Sequence, residues 1–233
     1  EGALVAEEGK YLPEIKKCDI SSVKGSVIVK DFSKEKFKMN LKSNKVNVIK
    51  ILPGGVVTAK DTAEIELDAN GEFVRNPEVD LVKVAVVERH QGTGNVACGF
   101  LKGYGIKEGA VALSVAHDSH NIIVVGVNDE EMEFAVNSLI EQEGGIVLVK
   151  EGKVIESMPM PIAGLMSDQS GEWVDQKLTD IHEKAYEELG ICGDVEPVMT
   201  LCFMSLAVIP EIKLTDMGLF DVTTFSFIPV EVE

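Results

Sequence analysis

Three of the four histidines in this sequence lie where predicted strands end, beside small or polar residues. His90 belongs to the segment Glu88–Asn95, and His117 and His120 belong to the run His117–Asn121. Ionisable groups at the ends of buried strands are costly unless they are paired. These side chains therefore either bond to one another or face a ligand, and Asp118 between the two histidines is suited to orient an imidazole that shuttles protons.

Several interpretations of this polar cluster stay open from the residues alone. One is a network of hydrogen bonds that only fixes the loops. A metal site of His90, His117, Asp118 and His120 has suitable ligand types, but His117 and His120 flank a turn and not a helix face. A serine hydrolase site is weaker, because Ser119 has no nucleophile-elbow context. The fourth histidine, His182, lies among helical residues and is interpreted as a satisfied or half-exposed side chain.

The elements that position these residues are mostly strands, because runs rich in Val, Ile and Thr alternate with turn signals. Residues 3–13 predict the end of a β-hairpin or a strand that leaves a turn, and a polar connector follows. Asn70-Gly71 is a strong hairpin signal. The further predicted strands cover 46–52, 56–67, 72–74, 81–88, 110–116, 122–127, 146–149, 154–158, 212–214 and 219–228. Residues 96–104 are interpreted as a short helix.

Two amphipathic helices are expected. Asn128 caps the first, with Glu131 completing a capping-box-like pattern, and the second covers about 171–189. No glycine-rich phosphate loop joins a strand to a helix, so a doubly wound nucleotide-binding fold is disfavoured. The sequence predicts an α+β fold with mixed, largely antiparallel sheets and a few covering helices.

Composition limits the partners of the chain. It has 233 residues with 22 Lys and Arg against 39 Asp and Glu, a net charge of −17, which disfavours nucleic-acid binding. No apolar run has the ~20 residues of a membrane span, and no signal peptide is apparent. The four cysteines show no CxxC or zinc-ligand spacing and indicate reduced thiols in a cytoplasmic protein.

The polar cluster lies within motifs that resemble the C-terminal region of adenine deaminases. These are ERHQGTGN (88–95), GFLKGYGIKEGA (99–110), SVAHDSHNIIVVGVNDEEM (114–132), MPIAGLMSD (160–168) and FMSLAVIPEIKLTDMGLFDV (203–222). VNVIKILPGGVVT (46–58) and the pair Gly9-Lys10 also fit, so the resemblance covers nearly the whole chain.

The resemblance implies an enzyme of the amidohydrolase superfamily that hydrolyses adenine to hypoxanthine and ammonia. Its catalytic barrel holds manganese or iron, which activates water. This sequence lacks the barrel's metal motif of two histidines separated by one residue. We therefore expect no cofactor in this chain, no deamination by the chain alone, and two partners: adenine and the barrel of the same enzyme.

The resemblance also implies a division of the chain. Residues 1–44 are expected to be the remnant of the β-sandwich that flanks the barrel, with a connector, and 45–233 the C-terminal α+β domain. A domain separated from its barrel exposes apolar surface, so we expect a homo-oligomer or a large apolar patch.

From residue chemistry, we predict that the polar loops close the purine pocket. His117, Asp118 and His120 are the predicted supporting catalytic residues, outside the metal ligands. The predicted substrate-binding residues are Arg89, His90, Thr93, Asn95, Ser119 and Asn121. The alternative is a stand-alone purine-binding or assembly module without catalysis.

Overall fold

An eight-stranded sheet organises the chain in the computed structural model, which describes residues 2–14 and 16–232. The strands are β1 (Ala6–Glu7), β2 (Lys10–Tyr11), β3 (Lys45–Ile51), β4 (Thr58–Glu64), β5 (Glu66–Leu67), β6 (Phe73–Val74), β7 (Leu81–Val87), β8 (Val96–Lys102), β9 (Ala110–Leu113), β10 (Ile122–Gly126), β11 (Gly145–Lys150), β12 (Lys153–Pro159), β13 (Ile212–Thr215), β14 (Gly218–Asp221) and β15 (Ser226–Phe227). The helices are α1 (Asp129–Glu141), α2 (Gly171–Glu187) and α3 (Pro197–Cys202).

The strand order in the large sheet is β12-β11-β9-β10-β7-β8-β3-β4. Its neighbouring strands pair antiparallel, except that β3 and β8 are parallel. Three antiparallel strands, β13 to β15, form a smaller sheet. The predicted α+β class with a mixed, largely antiparallel sheet is confirmed.

Both faces of the large sheet are covered. Alternate residues of β7 point to opposite faces, so Val84 packs in the cluster that holds Ile181 of α2, while Ala85 packs with Met132 of α1. Covering on both sides explains why every residue of β7, β9 and β10 is buried. Strands buried on both faces have nearly continuous apolar sequences, and Lys83 is the one charged residue in β7.

The two predicted helices are confirmed, and so is the first cap. The Asn128 side chain accepts a hydrogen bond from the Glu131 backbone N–H at 2.8 Å, which satisfies one of the free donors in the first turn. The Ser170 hydroxyl does the same for α2, accepting from the Trp173 N–H at 3.3 Å. Among the described residues, no helix is both long and apolar enough to cross a membrane.

The prediction of a helix over 96–104 is wrong, because most of this segment is strand β8. All seven of its residues pair with β7, from Val96 opposite Val87 to Lys102 opposite Leu81. The run of Ala97, Cys98 and Gly99 carries little local preference, so pairing with β7 on one side and β3 on the other decides its conformation.

The N-terminal segment begins with the predicted hairpin, β1 and β2, whose residues are exposed. Further along, Phe37 is fully buried in the cluster that also contains Met132 of α1. The backbone N–H of Ile28 donates to the Arg89 carbonyl at 2.8 Å. The connector therefore lies against the body of the fold, and the division at residues 44 and 45 stays a prediction.

Candidate functional site

Antiparallel pairing brings the two predicted polar loops to one end of the large sheet. Val87, the last residue of β7, lies opposite both Ile122 at the start of β10 and Val96 at the start of β8. The loop that leaves β7 (88–95) and the loop that enters β10 (114–121) therefore meet at this end. The nine predicted site residues all lie in these two loops.

Glu88 organises the first loop. Its carboxylate accepts hydrogen bonds from the backbone N–H groups of His90 (2.5 Å), Gln91 (2.8 Å) and Thr93 (2.9 Å), and from the Thr93 hydroxyl (3.0 Å). Burial alone would raise the pKa of Glu88, but these four donors outweigh it and lower the pKa to about 2. The loop is thus wound around a buried, ionised carboxylate.

The second loop is a tight turn with two facing imidazoles. The His117 and His120 rings lie 5.3 Å apart, edge to face, and the backbone N–H of His120 donates to the Ala116 carbonyl at 2.6 Å. Burial, followed by the neighbouring His117 and Arg89, lowers the pKa of His120, while Asp118 opposes the shift. His120 is thereby biased to its neutral form. Its Nδ1 is buried and has no hydrogen-bond partner among the described residues.

The two loops are bonded to each other. The His90 Nε2 lies 2.7 Å from the Ser119 carbonyl oxygen. Arg89, a residue only 1 % exposed, donates from Nε to the His120 carbonyl oxygen at 2.5 Å. The Asn121 Oδ1 accepts from the Arg89 backbone N–H at 3.3 Å. The structure therefore joins Arg89, His90, Ser119, His120 and Asn121 by hydrogen bonds across the two loops. The side chains of His90, Thr93, Asn95, Asp118 and Ser119 are exposed.

Segments far along the chain complete the surface. Asp216, in the turn between β13 and β14, accepts hydrogen bonds from the side-chain amides of Asn121 (3.2 Å) and Asn95 (3.4 Å). The His117 ring packs at 4.8 Å against Phe203, which follows α3, and the His117 backbone N–H donates to the Cys202 carbonyl at 2.8 Å. Phe203 and Asp216 lie in a motif that carries the family resemblance, but neither was predicted as a site residue.

The fourth histidine lies elsewhere and matches its interpretation. His182, on α2, is partly exposed, and its Nε2 pairs with the Glu196 carboxylate beyond the helix. Over residues 2–14 and 16–232, no three His, Cys, Asp or Glu side chains converge as a metal site requires. The expectation that this chain holds no metal stays a prediction.

Comparison with known proteins places the chain in a family. The model of the adenine deaminase C-terminal domain matches residues 55–226. The chain is 67% identical to adenine deaminase 2 of Desulfotalea psychrophila, over 99% of the chain and 40% of that relative. It is 47% identical to adenine deaminase of Ligilactobacillus salivarius and 43% identical to that of Halalkalibacterium halodurans, with the same 40% of each relative covered. The chain spans about 40% of the length of these curated relatives, and it belongs to the adenine deaminase C-terminal domain family.

Proposed function

We propose that the chain is the C-terminal part of an adenine deaminase, a hydrolase that converts adenine to hypoxanthine and ammonia. The names of the relatives support this activity, and the 40% coverage leaves room in them for a catalytic part. Manganese or iron is assigned to that part, because the described residues of this chain supply no ligand set for it. The chain alone is then inactive, and its partners are adenine and the catalytic barrel.

The polar surface at the sheet end is assigned to the active site of the whole enzyme. His117, Asp118 and His120 support catalysis from outside the metal ligands, and Arg89, His90, Thr93, Asn95, Ser119 and Asn121 shape the substrate side. One observation carries this assignment: the buried Nδ1 of His120 lacks a partner within the described residues, in a turn whose backbone is bonded to Arg89, Ala116 and Cys202. Buried polar atoms in native proteins rarely stay unpaired.

A purine offers the groups that such a turn lacks. Its ring nitrogens and its leaving amine need donors, acceptors and a route for protons. A neutral imidazole carries one donor and one acceptor, and an adjacent carboxylate orients it. Two neighbouring imidazoles, with Asp118 between them in the sequence, therefore suit proton transfer to and from a purine.

Several apolar side chains of this part of the chain are exposed, which supports contact with another part of the enzyme or with another copy of the chain. Met166 (59 % exposed) belongs to the loop that bonds Arg89, and Met217 (72 % exposed) follows Asp216. Phe225, at 74 % exposed, packs edge to face on Phe220 of β14. We propose contact with the barrel and a homo-oligomeric, cytoplasmic enzyme.

Alanine substitutions in the full-length enzyme test the role of the turn. We expect His117→Ala, Asp118→Ala and His120→Ala each to lower kcat by about 10²-fold or more, the scale of general acid–base catalysis, with unchanged metal content. Melting temperature is measured alongside. Lower melting temperature with normal turnover per folded molecule would reduce the cluster to a structural network.

The isolated chain separates this proposal from the alternative, a stand-alone purine-binding or assembly module. We expect no ammonia release from adenine with manganese or iron, and no saturable adenine binding by calorimetry. Turnover on the order of 1 per second would contradict the proposal. Tight adenine binding without turnover would favour the binding module.

A further inference from the structure

Arg89 joins its own loop to three other segments of the chain at the candidate site. Its guanidinium donates to the carbonyl oxygens of His120 (2.5 Å, from Nε) and Ala163 (3.2 Å, from Nη2). Its backbone N–H donates to Asn121 and its backbone carbonyl accepts from Ile28. The His117–Asn121 turn, the loop after β12 and the N-terminal connector all converge on this single residue.

The environment of this guanidinium is unusual for a cation. Its hydrogen bonds go to neutral carbonyl oxygens, burial lowers its pKa, and Nη1 is buried without a partner in the part of the chain described. A buried charge without a charged partner is costly. Hydrogen bonds between loops do not require a charged donor, since a neutral donor can make them.

The loop after β12 is shaped around the guanidinium. Ala163 and Gly164 both have positive φ angles, 57° and 70°. A Cβ on Gly164 would lie 2.7 Å from Nη1 of Arg89. Only glycine leaves room there, so the loop geometry and the buried cation belong together.

We propose that Arg89 is a positioning residue for His120: its guanidinium, bonded to the His120 and Ala163 carbonyl oxygens, fixes the backbone of the turn and places a buried positive charge beside it. The effect of Arg89 on the turn is a property of this chain alone, whereas its effect on catalysis rests on the proposed function. A neutral His120 keeps both a donor and an acceptor for a purine, while a protonated ring has donors only.

Other groups also face His120. These are His117 at 5.3 Å, His90 and Asp118, of which only Asp118 favours a protonated ring. Burial has the largest effect on the pKa of His120, followed by the neighbouring His117 and then Arg89. Arg89 differs from the histidines because it is charged at every pH of interest.

Histidine ring resonances of the 233-residue chain, followed by NMR over pH 4–9, test the proposal. We expect Arg89→Met to raise the pKa of His120, because a nearby positive charge disfavours protonation. Arg89→Lys keeps the charge but has a single nitrogen to bridge two carbonyls. It should broaden or shift the His120 ring resonances with a smaller change in pKa.

The chain supplies a matched control in its only other arginine. Arg75 also donates to a backbone carbonyl, that of Ile106 at 3.0 Å, and lies outside the two site loops. Arg75→Met should leave the His120 titration unchanged. A folded Arg89→Met chain with an unchanged His120 pKa would overturn the proposal. Where Arg89→Met fails to fold, an Arg89→Lys chain with His120 resonances identical to the parent would overturn it.

The same variants distinguish this inference from the proposed function. The NMR result needs neither adenine nor metal. If the His120 pKa responds to Arg89 but His120→Ala leaves turnover unchanged in the full-length enzyme, Arg89 positions the turn and the catalytic assignment fails. If both respond, Arg89→Lys should restore part of the kcat lost in Arg89→Met.

Discussion

Removing the charge of Glu88 should unwind the loop that carries His90, Thr93 and Asn95. In Glu88→Gln, one carboxylate oxygen becomes an NH2 group. If it replaces Oε2, it faces the Thr93 N–H, which can only donate, while the Thr93 hydroxyl can turn to accept from it. If it replaces Oε1, it faces the N–H groups of His90 and Gln91. Either orientation loses at least one hydrogen bond and places donor against donor.

The pKa of Glu88 gives the expected change in the free energy of unfolding. It falls from an ordinary 4.5 to about 2 on folding. At ~1.4 kcal/mol per pH unit, the ionised carboxylate contributes about 3 kcal/mol to the free energy of unfolding. Because the folded pKa is the lower one, this contribution is fully present above pH 4.5. It is lost as the pH falls from 4.5 toward 2.

Urea unfolding of the 233-residue chain at pH 7 and at pH 3 measures this contribution. We expect Glu88→Gln to lower the free energy of unfolding at pH 7 by about 3 kcal/mol, with a smaller difference from the parent at pH 3. Glu78→Gln, at an exposed carboxylate, is the control and should change stability by less than about 0.5 kcal/mol. A difference at pH 3 as large as that at pH 7 would refute the reasoning.

Two further predictions concern buried ionisable groups. Burial raises the pKa of the Cys98 and Cys202 thiols to about 12, so iodoacetamide at pH 8 should label the exposed Cys18 and Cys192 first in the folded chain. Labelling of Cys98 at the rate of Cys192, read by mass spectrometry, would contradict this. Burial lowers the pKa of Lys213 to about 8, so its ammonium costs stability below that pH, and the cost fades as the pH rises toward 10.5. Lys213→Met should stabilise the fold by roughly 1–2 kcal/mol at pH 7, after the loss of one hydrogen bond. A lower melting temperature than the parent at pH 7 would contradict it.

Much of the large sheet was predictable because its central strands are buried on both faces. The run at 122–126 is entirely apolar and that at 81–87 is apolar except for Lys83, and this pattern predicts a buried strand whatever its neighbours are. The cap at Asn128 was predictable for a similar reason, since its partner Glu131 is three residues away. Local spacing carries this kind of information.

The errors fall where distant contacts decide the structure. Residues 96–102 are a strand because β7 and β3 flank them, and nothing in Ala97-Cys98-Gly99 states this locally. The Asp216 carboxylate accepts hydrogen bonds from Asn121, which lies 95 residues earlier in the chain, and from Asn95, which lies 121 residues earlier. A single sequence contains no signal for such a pair. Likewise, the direction of the Arg89 side chain, inward to two carbonyls, depends on loops that meet only in the folded chain.

The two histidines of the turn are held by different contacts. The His117 backbone bonds the Cys202 carbonyl and its ring packs on Phe203, whereas His120 is held by the Arg89 guanidinium. A connector between two strands needs neither arrangement, because a two-residue turn would join them at lower cost. The structure instead fixes the backbone of both histidines and packs the His117 ring, a preorganisation that would favour proton transfer under the proposed function. Asp118, in the same turn, is exposed to solvent.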